Sequence, residues 1–115
     1  LYEDCAFLEA WPGVPVGNEE GEIITTALGD KRAILLSHHG QLSTGASIEE
    51  ACVIAQLIER AAKLQLLAMS AGSVKPILPE LGREAHDWIS KPKRHGAAFN
   101  YYARQNLRKH ADCLN

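Results

Sequence analysis

The stretch Ala33–Ala51, AILLSHHGQLSTGASIEEA, decides how the rest of the chain is read. Ala33-Ile34-Leu35-Leu36 sets four apolar residues in a row. That pattern predicts a central strand buried on both faces, not one alternating between core and water. His38-His39-Gly40 follows at once, and Gln41 to Thr44 reads as a second short strand ended by Gly45. The two strands make a hairpin-like unit with both histidines at its turn. Ser47 with Glu50 three residues later has the spacing of a capping box, which satisfies two otherwise orphan amide donors at a helix start.

Working outward, the helical pattern that Ser47 opens runs to about Ala71, where Gly72 and Pro76 close it. About 24 helical residues span roughly 36 Å. Ile54, Leu57, Ile58, Ala61, Leu64 and Ala68 share one broad side, which Cys52, Val53, Leu66, Leu67 and Met69 widen. So apolar a helix needs more partners than the remaining residues offer. Residues 1–115 alone are therefore expected to be poorly folded or self-associated. Upstream, Glu19 to Leu28 carries Ile23, Ile24, Ala27 and Leu28 at helical spacing, with Gly29 as its stop. Leu1 to Ala10 reads as structured, with Cys5, Phe7 and Leu8 half buried. Trp11-Pro12-Gly13-Val14-Pro15 reads as a turn or an extended linker. Downstream, Pro79 to Ser90 and Ala97 to His110 predict two more helices joined by Lys91-Pro92-Lys93.

Length and charge narrow the function. The 115 residues suffice for one domain. Twelve basic residues against fourteen acidic ones leave a net charge of −2, without the concentrated positive surface that a nucleic-acid binder needs. No apolar run is long enough to span a membrane, and no basic start with an apolar block marks a signal peptide. Cys5, Cys52 and Cys113 lie far apart, form no CxxC and cannot all pair within the chain, which predicts reduced thiols and a cytoplasmic protein.

His38-His39-Gly40 is the constellation that suggests chemistry. Neighbours in an extended chain point to opposite faces, so one ring reaches a cleft easily and both only through a distorted turn. Taken alone, the pair reads more simply as polar residues at a strand end. A metal site needs three or four ligands, and His86, His95 and His110 offer no HxH or HxxxH spacing to join them. No phosphate-loop glycine pattern and no GxSxG elbow is present.

The block Ala33–Ala51, with its continuation IAQLIERAAKLQLLA from Ile54 to Ala68 and the tail from Trp88 to Leu114, resembles the class II aldolase/adducin family, in the C-terminal portion of its domain. The resemblance implies an α/β fold: the C-terminal part of an α/β/α domain around a central sheet. It also implies that residues 1–115 are a partial domain, with the upstream half absent as a fragment, a processed piece or one part of a divided polypeptide. Aldolases of the family hold a divalent metal on three histidines, the last immediately before the glycine. That role falls on His39, with His38 shaping the site or serving as the alternative ligand. The HxH supplying the other ligands and the acid/base carboxylate lie upstream in the family. Neither role is moved onto Glu49, Glu50 or Glu59.

The resemblance further implies a carbon–carbon lyase acting on a small hydroxy-keto or sugar-phosphate-like substrate. The metal would be Zn2+, with Mn2+, Fe2+ or Co2+ as alternatives, offsetting the charge that cleavage leaves on substrate oxygen. His39 is then expected to be neutral and fixed by a hydrogen bond from its other nitrogen. The 115 residues alone are expected to be inactive. The missing N-terminal half is the implied partner, in a homo-oligomer, a tetramer, that places the C-terminal helix beside a neighbour's cleft with Tyr101 or Tyr102 as candidate contributors. The alternatives are an epimerase, dehydratase, decarboxylase or iron oxygenase on the same scaffold. In a different class stands a non-catalytic adducin-like interaction module, against which the retained His39 argues.

Overall fold

In a computed structural model of the chain, residues 1–11, 13 and 17–114 are described. The element order is β1 (Cys5–Leu8), α1 (Glu19–Leu28), β2 (Ala33–Leu36), β3 (Gly40–Ser43), α2 (Ile48–Ala71), α3 (Pro79–Ile89), α4 (Pro92–Lys109) and a closing 3-10 turn, Ala111–Leu114. The sheet runs β1-β2-β3. β1 and β2 are parallel, joined through α1, and pair from Cys5 with Ala33 to Leu8 with Leu36. β2 and β3 form the antiparallel hairpin, from Ala33 with Ser43 to Leu36 with Gly40. The result is an open mixed sheet flanked by helices. Of the linker expected after Trp11, Pro12, Val14 and Pro15 lie outside the described residues, as does the Cys113 side chain.

The alternation of strand side chains divides the core in two. Ile34 and Leu36 point with Ala6 to one face, where Ile24, Ala27 and Leu28 of α1 cover them. Ala33 points to the other face, against Ile54 and Ile58 of α2. The expectation of a strand buried on both faces holds for Ala33, Ile34 and Leu36, but Leu35 is 38% exposed. Its register partner Phe7, expected to be half buried, is 63% exposed. The two belong to one row of the sheet, next to the row that Ile54 and Ile58 cover, and α2 leaves that row open.

α2 begins as its sequence predicts. Ser47 Oγ accepts the Glu50 N–H at 3.2 Å. Glu50 Oε2 reaches back one residue beyond the cap and accepts from Ala46 N at 2.9 Å. Gly45 is required there, because a Cβ would stand 2.9 Å from the Ala51 amide nitrogen and 2.8 Å from Glu50 Cγ. Val53, Ile54 and Ile58 are buried, yet everything from Glu59 to Ala71 is exposed, including Ala61, Leu64 and Ala68 of the predicted apolar side. The reason is length. A four-residue strand runs roughly 13 Å beneath a helix of roughly 36 Å.

The last helix starts earlier than expected. Pro92 occupies its first turn, where a missing N–H costs nothing. Residues read as a connector and its surroundings are thus helical, and this brings His95 into the helix as a buried residue. α3 sits against the N-terminal segment so closely that a Cβ on Gly82 would overlap the Tyr2 ring.

Candidate functional site

Parallel strands deliver their carboxyl ends to the same edge of a sheet, the edge at which open α/β sheets hold ligands. Here that edge carries Trp11 and His39. The register that pairs Leu8 with Leu36 makes them equivalent positions, each three residues past the last pair. Their rings stack, with centroids 4.7 Å apart and planes 23° from parallel. Trp11 also packs on the cluster of Ala6, Ile34 and Leu36.

The turn between β2 and β3 separates the two histidines. Leu36 C=O accepts the His39 N–H at 3.1 Å. His38 takes a left-handed φ of +58°, a conformation that His, Asn and Asp tolerate better than most side chains. Both histidines are exposed. Of the two, His39 is the one whose ring stacks on Trp11. The expected hydrogen bond from its second nitrogen is not present: among the described residues neither ring nitrogen of His39 has a hydrogen-bond partner. The ring's aromatic neighbour is the indole of Trp11.

His39 is an accessible imidazole at the carboxyl edge whose nitrogens have no hydrogen-bond partner among the described residues. Among the described residues no group of three His, Cys, Asp or Glu side chains could hold a metal ion. Tyr101 and Tyr102 lie on α4 with their rings edge to face, 5.6 Å apart. Tyr101 Oη accepts from Gln105 Nε2 at 3.1 Å. No described contact brings either tyrosine to the histidines. Surface clefts lie at the start of α4, lined by Lys91, Lys93 and Arg94, and beside Asp4, Lys31, Arg83 and His86; His39 lines neither.

A second polar centre was not visible in the sequence. Arg32, just before β2, donates from Nε to Asp4 Oδ2 at 2.6 Å, from Nη1 to Glu50 Oε1 at 2.9 Å and from Nη2 to Ser90 Oγ at 2.8 Å. His86 Nε2 lies 3.0 Å from Arg32 Nη2 and 3.1 Å from Asp4 Oδ2. An arginine only donates. With Nδ1–H given to Asp87 Oδ1 at 3.0 Å, a neutral ring accepts from Arg32; a proton on Nε2 exchanges that bond for one to Asp4. Burial pushes the Asp4 carboxyl up, but hydrogen bonds from the Arg32 side chain and backbone and from His86 hold it below the usual range. The Ala46 N–H, against burial and aided by Arg32 and His95, holds Glu50 low as well. Burial pulls the Arg32 guanidinium down, and its bonds to Asp4 and Glu50 more than offset that and raise it. His95, only 3% exposed, places Nδ1 3.4 Å from Glu50 Oε1 with no hydrogen bond among the described residues. The centre ties β1, β2, α2 and α3 together.

The comparisons with known proteins agree with this fold. Residues 2–66 match the family described as Class II Aldolase and Adducin N-terminal domain. The chain belongs to that family. A 4-hydroxy-3-prenylphenylpyruvate oxygenase/4-hydroxy-3-prenylbenzoate synthase of Streptomyces roseochromogenus subsp. oscitans is 30% identical over 83 residues, 72% of this chain and 30% of that protein. An L-fuculose 1-phosphate aldolase from Glaciozyma antarctica PI12 superposes with a TM-score of 0.80 at 26% identity, over 96% of this chain and 41% of that one. An aldolase II superfamily protein from Pseudomonas syringae gives 0.77 at 25% identity, over 93% and 44%. The chain thus spans less than a third of the Streptomyces protein and less than half of either solved structure.

Proposed function

We propose that the chain is part of a divalent-metal-dependent enzyme, a carbon–carbon lyase acting on a small hydroxy-keto or sugar-phosphate-like substrate, with His39 as one metal ligand. The observation that carries this reading is the exposed His39 imidazole, seated against Trp11 at the carboxyl edge of the β1–β2 pair, in a chain of this family. When bound, the metal, zinc in this reading, supplies Lewis-acid stabilisation of charge on substrate oxygen. This chain's own part is to present the imidazole, to fix its backbone through the Leu36–His39 turn and to keep His38 turned elsewhere. The remaining ligands and the acid/base group come from polypeptide outside residues 1–115, and the 115 residues alone are inactive. Similarity to the fuculose phosphate aldolase supports the lyase class.

The assembled protein is read as a cytoplasmic homo-oligomer, a tetramer, in which α4 lies beside a neighbouring cleft. Among the described residues no helix is long and apolar enough to cross a membrane. Tyr101 and Tyr102 are the residues α4 would offer, although their contacts along the helix favour packing. Tyr→Phe at each position leaves turnover unchanged if packing is their whole role.

A second reading is an iron oxygenase on the same scaffold, and the likeness to the Streptomyces oxygenase favours the oxygenase class. Metal analysis of the full native protein separates the readings. Zinc, with cleavage that needs no dioxygen, supports the lyase; iron with dioxygen consumption supports the oxygenase. His39→Ala should remove most of the bound metal and the metal-dependent activity. Full metal occupancy in that variant removes His39 from the site, and with it the main reason for preferring an enzyme over a non-catalytic, adducin-like module.

A further inference from the structure

We propose that Trp11 is the positioning residue for His39, setting the plane of the imidazole and hence the direction of its free nitrogen. This rests on the reading of His39 as a metal ligand.

The backbone of His39 is fixed by its turn. Its side chain is exposed and, among the described residues, has no hydrogen bond, so the two side-chain torsions need another restraint. A ligating histidine usually gets that restraint from an N–H bonded to a carboxylate or carbonyl. Here the contact available is the indole. Centroids 4.7 Å apart and planes 23° from parallel are the dimensions of an aromatic stack. Such a stack constrains the ring plane while leaving both nitrogens, which lie in that plane, open to a ligand. A hydrogen bond would occupy one of them.

Trp11 is itself held. Its indole packs on Ala6, Ile34 and Leu36. The segment that leads to it is tied down where Ser37 N donates to Leu8 C=O at 3.0 Å. The parallel register then sets the two rings side by side at one sheet edge. The sheet thus builds the support and the ligand from the same structural offset.

The test uses the full native protein and zinc as the probe. In the metal-free protein, the His39 ring protons should resonate upfield of free imidazole because of the indole ring current. Resonances at free-imidazole positions would overturn the stack. Zinc affinity is then measured by chelator competition in Trp11→Phe, Trp11→Leu and His39→Ala. Trp11→Leu keeps an apolar side chain against the core but removes the aromatic face. It should bind zinc about 10-fold more weakly, the size expected when a ligand's support is lost, while Trp11→Phe recovers most of the affinity. Native affinity in Trp11→Leu, alongside lost zinc in His39→Ala, overturns the role of Trp11 and leaves the ligand standing. Native affinity in His39→Ala overturns both. Equal weakening in Trp11→Leu and Trp11→Phe reduces Trp11 to packing and also overturns the proposal.

Discussion

Asp4 meets Arg32 on both carboxylate oxygens: Oδ1 accepts the Arg32 backbone N–H at 2.9 Å and Oδ2 its Nε–H at 2.6 Å. Each residue stands immediately before its strand, so the parallel register that pairs Cys5 with Ala33 also brings these two together. The pairing pins the register at the end of the sheet opposite to His39. The Arg32 side chain is 22% exposed and that of Asp4 12%, which places the pair between surface and interior.

Replacing Arg32 with Leu leaves Asp4 and Glu50 facing each other without their shared cation. Stranding buried charge costs 3–5 kcal/mol in fully buried pairs, and the partial exposure here brings the expectation to about 2–3 kcal/mol. Denaturant unfolding of the full native protein checks the loss. Arg32→Lys should recover only part of it, since one ammonium cannot reproduce the planar fork.

The pH dependence has a definite sign. Asp4 and Glu50 both titrate below their usual values in the folded protein. Their contribution is therefore complete above the ordinary carboxylate range of about 4 and is lost as the pH falls through the lower, folded values. Unfolding free energy measured from pH 6 down to pH 3 should decline, and it should decline less steeply in Asp4→Asn, which already lacks one of these charges.

Two helical glycines should respond oppositely to alanine. In α3, Gly82 has the Tyr2 ring where its Cβ would go, so Gly82→Ala should destabilise by about 1–3 kcal/mol. In α4, Gly96 has nothing within 4 Å of that position, so Gly96→Ala should stabilise by about 0.4–1 kcal/mol. Thermal melts of the two variants against the parent decide both.

His38 is held by its backbone. At φ +58°, Asn should be accepted with little change, whereas a β-branched Val should cost about 1–2 kcal/mol. Bound zinc in the full protein should stay near native in His38→Asn and fall sharply in His39→Ala. Equal losses in the two variants would mean that both rings ligate.

What the sequence disclosed was local. A four-residue apolar run, a turn and a capped helix are set by neighbours in the chain, so the β2–β3 hairpin and the start of α2 were legible from Ala33–Ala51, and the end of α2 from Gly72 and Pro76. The start of α4 was misread because Pro92 breaks a helix everywhere except in its first turn. Arg32 reaches Asp4, His86 and Ser90 at separations of 28, 54 and 58 residues, and no spacing rule covers those distances. An arginine directly ahead of a buried strand was the one available signal. The stack of Trp11 on His39 follows from the strand register, which becomes known only once β1 is recognised as the parallel neighbour of β2.

The sheet order has a consequence for handling these residues in isolation. β1 stands at an edge, paired on one side with β2, so outward N–H and C=O groups along Cys5–Leu8 have no strand beside them among the described residues. Phe7 on that strand is exposed as well. Open backbone groups next to a bare aromatic side chain form a template for strand addition. Proteins commonly blunt such an edge by covering it with another strand, a helix or a loop. Left bare, it invites another chain to extend the ladder, so concentrated preparations of residues 1–115 are expected to grow edge to edge into β-rich polymers.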